Sequence, residues 1–72
     1  MSLIEHTSEE RLKREAAAQR LRDLADELSR QNEVSFVQEG VRHTVEVPDE
    51  VTYSLEIEVG EDGSEVEIEI KW

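Results

Sequence analysis

The side chains in this sequence that could do chemistry are mainly carboxylates repeating at every second position. Glu65, Glu67 and Glu69 alternate with apolar residues near the C-terminal end, and Glu56 and Glu58 do the same further upstream. Successive side chains of a strand point to opposite faces, so each group of glutamates would line one face of a sheet. Such a row could attract a cation, because Ca²⁺ and Mg²⁺ prefer oxygen ligands.

A sheet spreads these oxygens instead of gathering them. Neighbouring strands lie about 4.8 Å apart, whereas Ca²⁺ needs six to eight oxygens at about 2.3–2.6 Å. We therefore expect no metal site and no cofactor, and we interpret the row, together with Glu46, as a solvated acidic face. Weak, unspecific binding of K⁺ or Mg²⁺ is the alternative.

The two histidines, His6 and His43, lie in different parts of the sequence. No HxH, HxxH or HExxH spacing is present, so a zinc site would need carboxylates brought in by the fold. His43 is in phase with Val41 and Val45, which predicts a partly buried strand residue.

Nucleophilic catalysis needs a hydroxyl or thiol beside a base and an oxyanion pocket. The chain has no cysteine, and its glycines fall in predicted hairpin turns rather than in a phosphate-binding loop. The hydroxyl side chains of the predicted strands fall on the polar face: Ser35, Thr44, Thr52 and Ser54. We expect no enzyme activity.

Two aromatic residues could serve in binding, because Trp and Tyr are enriched at interaction hot spots. Trp72 is in phase with Ile70, however, so the preferred interpretation makes it a lid at the edge of the core. The candidate interaction residues are the two aromatics and part of the acidic face: Trp72, Tyr53, Glu56, Glu58, Glu67 and Glu69.

The charge balance excludes several classes of partner. The 72 residues carry 19 Asp and Glu against 8 Lys and Arg, a net charge of -11. This field repels phosphate, so we expect no nucleic-acid partner. The longest apolar run is three alanines at residues 16–18, so we expect no membrane span and a cytoplasmic protein. The acidity, with only two lysines, favours a halophilic protein in molar salt.

One amphipathic helix is predicted over residues 13–30. Ala17, Leu21, Leu24 and Leu28 repeat at helical spacing, and Asn32 suits a left-handed cap at the end. The sequence at residues 7–10 fits a capping box, which would move the helix start from near Lys13 to near residue 8.

From residue 33 onward the apolar period is two, which predicts four strands in an antiparallel meander. Turn signals separate them: Glu39-Gly40, residues 48–50 and residues 60–63. We expect an α+β fold in a single domain over residues 1–72, with the helix packed on one face of a four-stranded sheet. Residues 1–12 carry the weakest signal, and a segment around residues 2–6 could add a short edge strand.

Three stretches resemble the amphi-Trp domain family of short archaeal and bacterial proteins. They are LKREAAAQRL at residues 12–21, VPDEV at residues 47–51 and the terminal strand EVEIEIKW at residues 65–72. The family takes its name from an amphipathic strand ending in tryptophan, and the resemblance covers residues 4–72. Similar sequences often carry Ser or Thr, as a helix N-cap, where Lys13 stands. The resemblance implies the same layout, no activity and no catalytic residues, and together with the acidity it favours a haloarchaeal source.

The sequence thus predicts a small, acidic, non-enzymatic domain, and its function is interpreted as protein interaction. The sheet edge or the acidic face would engage a protein partner or a second copy of the chain. The alternative is a cation-binding or salt-responsive protein that uses the acidic sheet face.

Overall fold

A computed structural model describes residues 3–72 of the chain. One helix comes first, α1 over Arg14–Asp26, and it continues as a π-helical turn over Glu27–Gln31. Four strands follow: β1 Glu33–Gln38, β2 Val41–Glu46, β3 Thr52–Val59 and β4 Ser64–Lys71. The α+β class and the four antiparallel strands are confirmed.

The helix begins after Lys13, which has an extended backbone and makes no side-chain capping hydrogen bond. The backbone carbonyl of Lys13 instead accepts hydrogen bonds from the first turn of the helix. The capping-box alternative is wrong, because the Glu10 carboxylate lies 2.7 Å from Nη1 of Arg20 rather than on the backbone. Residues 3–6 form no strand; Ser2, also part of that proposed edge strand, lies outside the described residues.

The first turn of α1 carries a carboxylate with an altered pKa. Hydrogen bonding by its own backbone, and then by Arg14, lowers the pKa of Glu15 below its usual range. The lowered pKa means that the ionised carboxylate stabilises the folded state. This contribution is present above the unfolded-state pKa and is lost as the pH falls through the folded-state pKa. Because Glu15 is fully exposed, it affects only the helix start.

The helix ends at Asn32, as expected. Its φ of 57° and ψ of 30° are left-handed, a conformation that asparagine tolerates better than most residues. The carbonyl of Asn32 accepts a hydrogen bond from the backbone N–H of Val47 at 2.9 Å. This bond ties the end of β2 to the end of the helix.

Replacing Asn32 tests the importance of this backbone conformation. We expect Asn32→Ala to lower the free energy of unfolding by about 1 kcal/mol, because alanine pays the steric cost of a left-handed conformation. Asn32→Gly should leave it nearly unchanged. Urea unfolding followed by circular dichroism measures both, and equal losses in the two variants would show that the conformation is unimportant.

The first hairpin joins β1 and β2 through the two-residue turn Glu39-Gly40. Both turn residues have positive φ, 53° and 77°, which matches the twist of a two-residue hairpin. Val34 pairs with Val45 across the strands, and Phe36 pairs with His43. These four side chains therefore share one face.

The second hairpin joins β3 and β4 through residues 60–63, where the N–H of Gly60 bonds the carbonyl of Gly63 at 2.9 Å. Its register puts apolar residues opposite one another: Tyr53 with Ile70, Leu55 with Ile68, and Ile57 with Val66. The other face pairs Thr52 with Lys71, Ser54 with Glu69, Glu56 with Glu67, and Glu58 with Glu65. Both turns and the alternation of the strands agree with the sequence prediction.

The four strands form two separate two-stranded sheets, not the single sheet that was expected. The connection between β2 and β3 explains the split. The bond from Val47 to Asn32 directs the end of β2 towards the helix, and Pro48 follows with no N–H to continue a ladder.

No side chain among the described residues is buried, so the helix does not cover a sheet in the expected way. The radius of gyration is 14.1 Å, whereas a compact domain of this length has about 11 Å. The elements surround an open cleft instead of a closed core.

Candidate interaction surface

A cleft of about 350 Å³ lies between the helix and the two hairpins. All its lining side chains are apolar. They come from all three units of the fold: Leu21, Leu24, Leu28, Val34, Phe36, Val45, Ile68, Ile70 and Trp72. The apolar stripe of the helix and the apolar faces of the strands therefore do face one another, as the sequence predicted, but around open space.

Phe36 is held in this cleft by two histidines. Its ring centroid lies 4.8 Å from that of His6 and 5.1 Å from that of His43, with nearly parallel planes. Nδ1 of His6 also lies 3.2 Å from the amide oxygen of Gln38. His43 is half-buried, as its phase predicted. The contact of His6 was not predicted, because no periodicity relates it to β1.

A polar cluster joins the π-helical turn to β1 at the outer edge of the first hairpin. One carboxylate oxygen of Glu27 accepts two hydrogen bonds from Ser35, from its N–H at 3.2 Å and from its hydroxyl at 2.8 Å. Arg42 donates to the same hydroxyl at 2.8 Å. Ser35 was expected on a wet face but is half-buried. Since Ser35 lies opposite the cleft face, this cluster fastens the helix to the hairpin and covers a strand edge.

The second hairpin exposes most of its apolar face. We define the open hairpin face as Tyr53, Leu55, Ile57, Val59, Val66 and Ile68. These side chains are between 44% and 83% exposed, and they continue the surface that lines the cleft through Ile68. The cleft that the helix lines includes only the C-terminal end of this hairpin, at Ile68, Ile70 and Trp72, so the rest of the open hairpin face lies outside it.

The acidic face lies on the opposite side of the second hairpin. Glu56 faces Glu67 across the strands, and Glu58 faces Glu65. Like charges directly opposite one another destabilise a strand pair. Among residues 3–72, no three His, Cys, Asp or Glu side chains are grouped to hold a metal ion.

The structure places the candidate interaction residues on two surfaces of one hairpin. Glu56, Glu58, Glu67 and Glu69 share the acidic face, whereas Tyr53 lies on the apolar face. Glu46 does not extend the acidic row, because it pairs with Glu33 in the other sheet. Trp72 is 57% exposed at the end of the cleft, so it edges an open cleft rather than closing a core.

A family model agrees with this arrangement of one helix and four amphipathic strands ending in tryptophan. The model of the Amphi-Trp domain matches residues 2–72, essentially the whole chain. The chain belongs to the Amphi-Trp domain family. The resemblance noted in the sequence is thereby confirmed, and the signature strand of this Amphi-Trp domain is β4 with Trp72 directly after it.

Two further comparisons add no relative of this Amphi-Trp domain, since no curated protein and no solved structure matches it. Over the described residues, the only helical segment is too short and too polar to cross a bilayer.

Proposed function

We propose that this Amphi-Trp domain is a non-enzymatic protein-interaction module that functions in a cytoplasm with a high salt concentration. The observation that carries the proposal is the continuous apolar surface formed by the cleft and the open hairpin face. Large exposed apolar patches on folded chains mark interaction sites. The net charge of -11 supports a high-salt setting, where screening relieves the repulsion.

The polar cluster around Ser35 has a structural arrangement, which supports a non-enzymatic module. The hydroxyl of Ser35 is the one strand hydroxyl beside a carboxylate and a guanidinium, those of Glu27 and Arg42, in the described chain. That carboxylate also holds the N–H of Ser35, and the cluster lies away from the cleft. Its arrangement serves to join two elements.

Site-specific photo-crosslinking in cells tests the proposal. A photoreactive phenylalanine analogue replaces Leu55 on the open hairpin face or, as the matched control, Ser54 on the opposite face. We expect crosslinked protein from position 55 and much less from position 54. No crosslinked protein from position 55 would contradict the interaction function.

The alternative function is a response to salt through the acidic face, and the facing glutamate pairs favour it. Salt would weaken the repulsion between the two carboxylates of each pair, because the Debye length falls to about 3 Å at 1 M ionic strength. A specific cation site would respond instead to dilute Mg²⁺ and not to KCl at matched ionic strength.

One substitution measures the facing pairs directly. We expect Glu67→Lys to raise the free energy of unfolding by about 0.5–1 kcal/mol in low salt, because it places a positive charge directly opposite the carboxylate of Glu56. The gain should shrink in molar KCl. Glu61→Lys, in the turn, changes the net charge equally without facing a strand residue. Equal gains in the two variants by urea titration would attribute the effect to net charge alone.

A further inference from the structure

The open hairpin face needs a cover that the described chain does not provide. A two-stranded hairpin alone is marginally stable in water and needs packing against another element. Ile57 and Val66 face one another near the middle of this face, and each is 63% exposed. The apolar side chains of the helix line the cleft, at the other end of the hairpin, and therefore do not cover this part of the face.

The surface area of the chain indicates how much cover is missing. The accessible surface is 6971 Å², whereas a compact monomer of 8.3 kDa exposes about 4,600 Å². The excess is therefore about 2,400 Å² per chain. Obligate homodimers bury about 2,000–5,000 Å² in total, or about 1,000–2,500 Å² on each partner. This excess, which the open cleft and exposed residues such as Leu3 share with the open hairpin face, lies within the range that one partner of an obligate homodimer buries.

The charge distribution is compatible with a second, equally acidic copy of the chain packing on this face. No carboxylate lies on the open hairpin face, because the register puts Glu56, Glu58, Glu65 and Glu67 on the other side. Two sheets pack about 10 Å apart, which would leave these outer carboxylates about 20 Å from those of the partner. That separation exceeds the Debye length of about 8 Å at physiological ionic strength.

We propose that a second copy of this chain covers the open hairpin face, so that two hairpins pack with their apolar faces together in a symmetric homodimer. The same patch serves both copies, as two-fold symmetry requires. This inference rests on the proposed interaction function and names its partner. A foreign basic partner would use the acidic face and would leave the apolar face open.

Two adjacent substitutions to the same residue test the homodimer by sedimentation and light scattering. The unmodified chain and Glu56→Lys should have twice the mass of 8.3 kDa. Ile57→Lys should weaken self-association by about tenfold or more, because a desolvated ammonium would enter the interface from each copy. A monomeric unmodified chain at every protein and salt concentration overturns the proposal, and so does a dimer that Ile57→Lys leaves intact.

Two measurements keep the test valid if Ile57→Lys unfolds. The thermal midpoint of the unmodified chain should rise with protein concentration, as for any folded dimer. The chain has no cysteine, so Asp62→Cys carries one spin label at the hairpin tip. A defined label-to-label distance by pulsed electron resonance then comes only from two copies, and its absence overturns the proposal.

The crosslinking result separates this inference from the proposed function. A crosslink from position 55 to a second copy supports both. A crosslink to a different protein, with a monomeric chain, overturns the homodimer and supports the interaction function. No crosslink overturns the interaction function, and the homodimer with it.

Discussion

Replacing Phe36 with alanine should lower the free energy of unfolding by about 2–3 kcal/mol. Full burial of a phenylalanine would make the loss about 3–5 kcal/mol, and Phe36 is half-buried. The variant removes cleft-lining surface and also both stacking contacts, with His6 and with His43. Each such ring contact adds about 0.5–1.5 kcal/mol beyond the buried area.

The matched control for Phe36 is its neighbour Val37, which points to the other face of the hairpin and is mostly exposed. Val37→Ala should lower the free energy of unfolding by less than about 1 kcal/mol. Urea unfolding of both variants gives the comparison, and NMR shifts of the imidazole rings report whether the stack is lost. Similar losses at the two positions would show that the cleft contributes little to stability.

Replacing Glu27 with alanine should lower the free energy of unfolding by about 2 kcal/mol. Its carboxylate accepts hydrogen bonds from both the N–H and the hydroxyl of Ser35, and bonds to a charged group contribute about 1.5–3 kcal/mol each. Partial exposure reduces that sum. Since these bonds join the π-helical turn to β1, the first hairpin should also gain amide hydrogen exchange along its outer edge.

Two further variants identify the cause of the loss at Glu27. Glu27→Gln keeps an acceptor oxygen and should lose about half as much, because neutral hydrogen bonds are roughly half as strong. Glu33→Ala removes a carboxylate that faces Glu46 and should cause no comparable loss. If Glu33→Ala destabilises the chain as much as Glu27→Ala, the hydrogen bonds to Ser35 are not the cause.

The local features of the fold could be predicted because each depends on neighbouring residues. Period-two alternation gave the faces of β3 and β4 and placed Tyr53 opposite the acidic face. Short turn sequences gave the hairpins, and Asn32 gave the left-handed helix end. Each of these features depends on two to nine consecutive residues, so it can be predicted without knowing the contacts with distant segments.

The other features depend on contacts between distant segments. Whether β2 pairs with β3 depends on contacts such as the bond from Val47 to Asn32, which no pattern along the strands contains. The stack of His6 on Phe36 joins residues with no shared periodicity. Apolar phase also predicts which side of a strand avoids water, but not whether the helix or another chain covers it. For this reason the sequence could not predict that the open hairpin face stays uncovered.

The hairpin connections have a consequence for how fast the chain folds. Every strand pairing in the described chain is sequence-local, and the widest joins Thr52 with Lys71. Folding rates rise as the mean sequence separation of contacts falls, and single hairpins form in about 1–10 μs. The two hairpins should therefore form early and independently. In the proposed homodimer, the slow step would be the meeting of two chains, with a rate that rises with protein concentration.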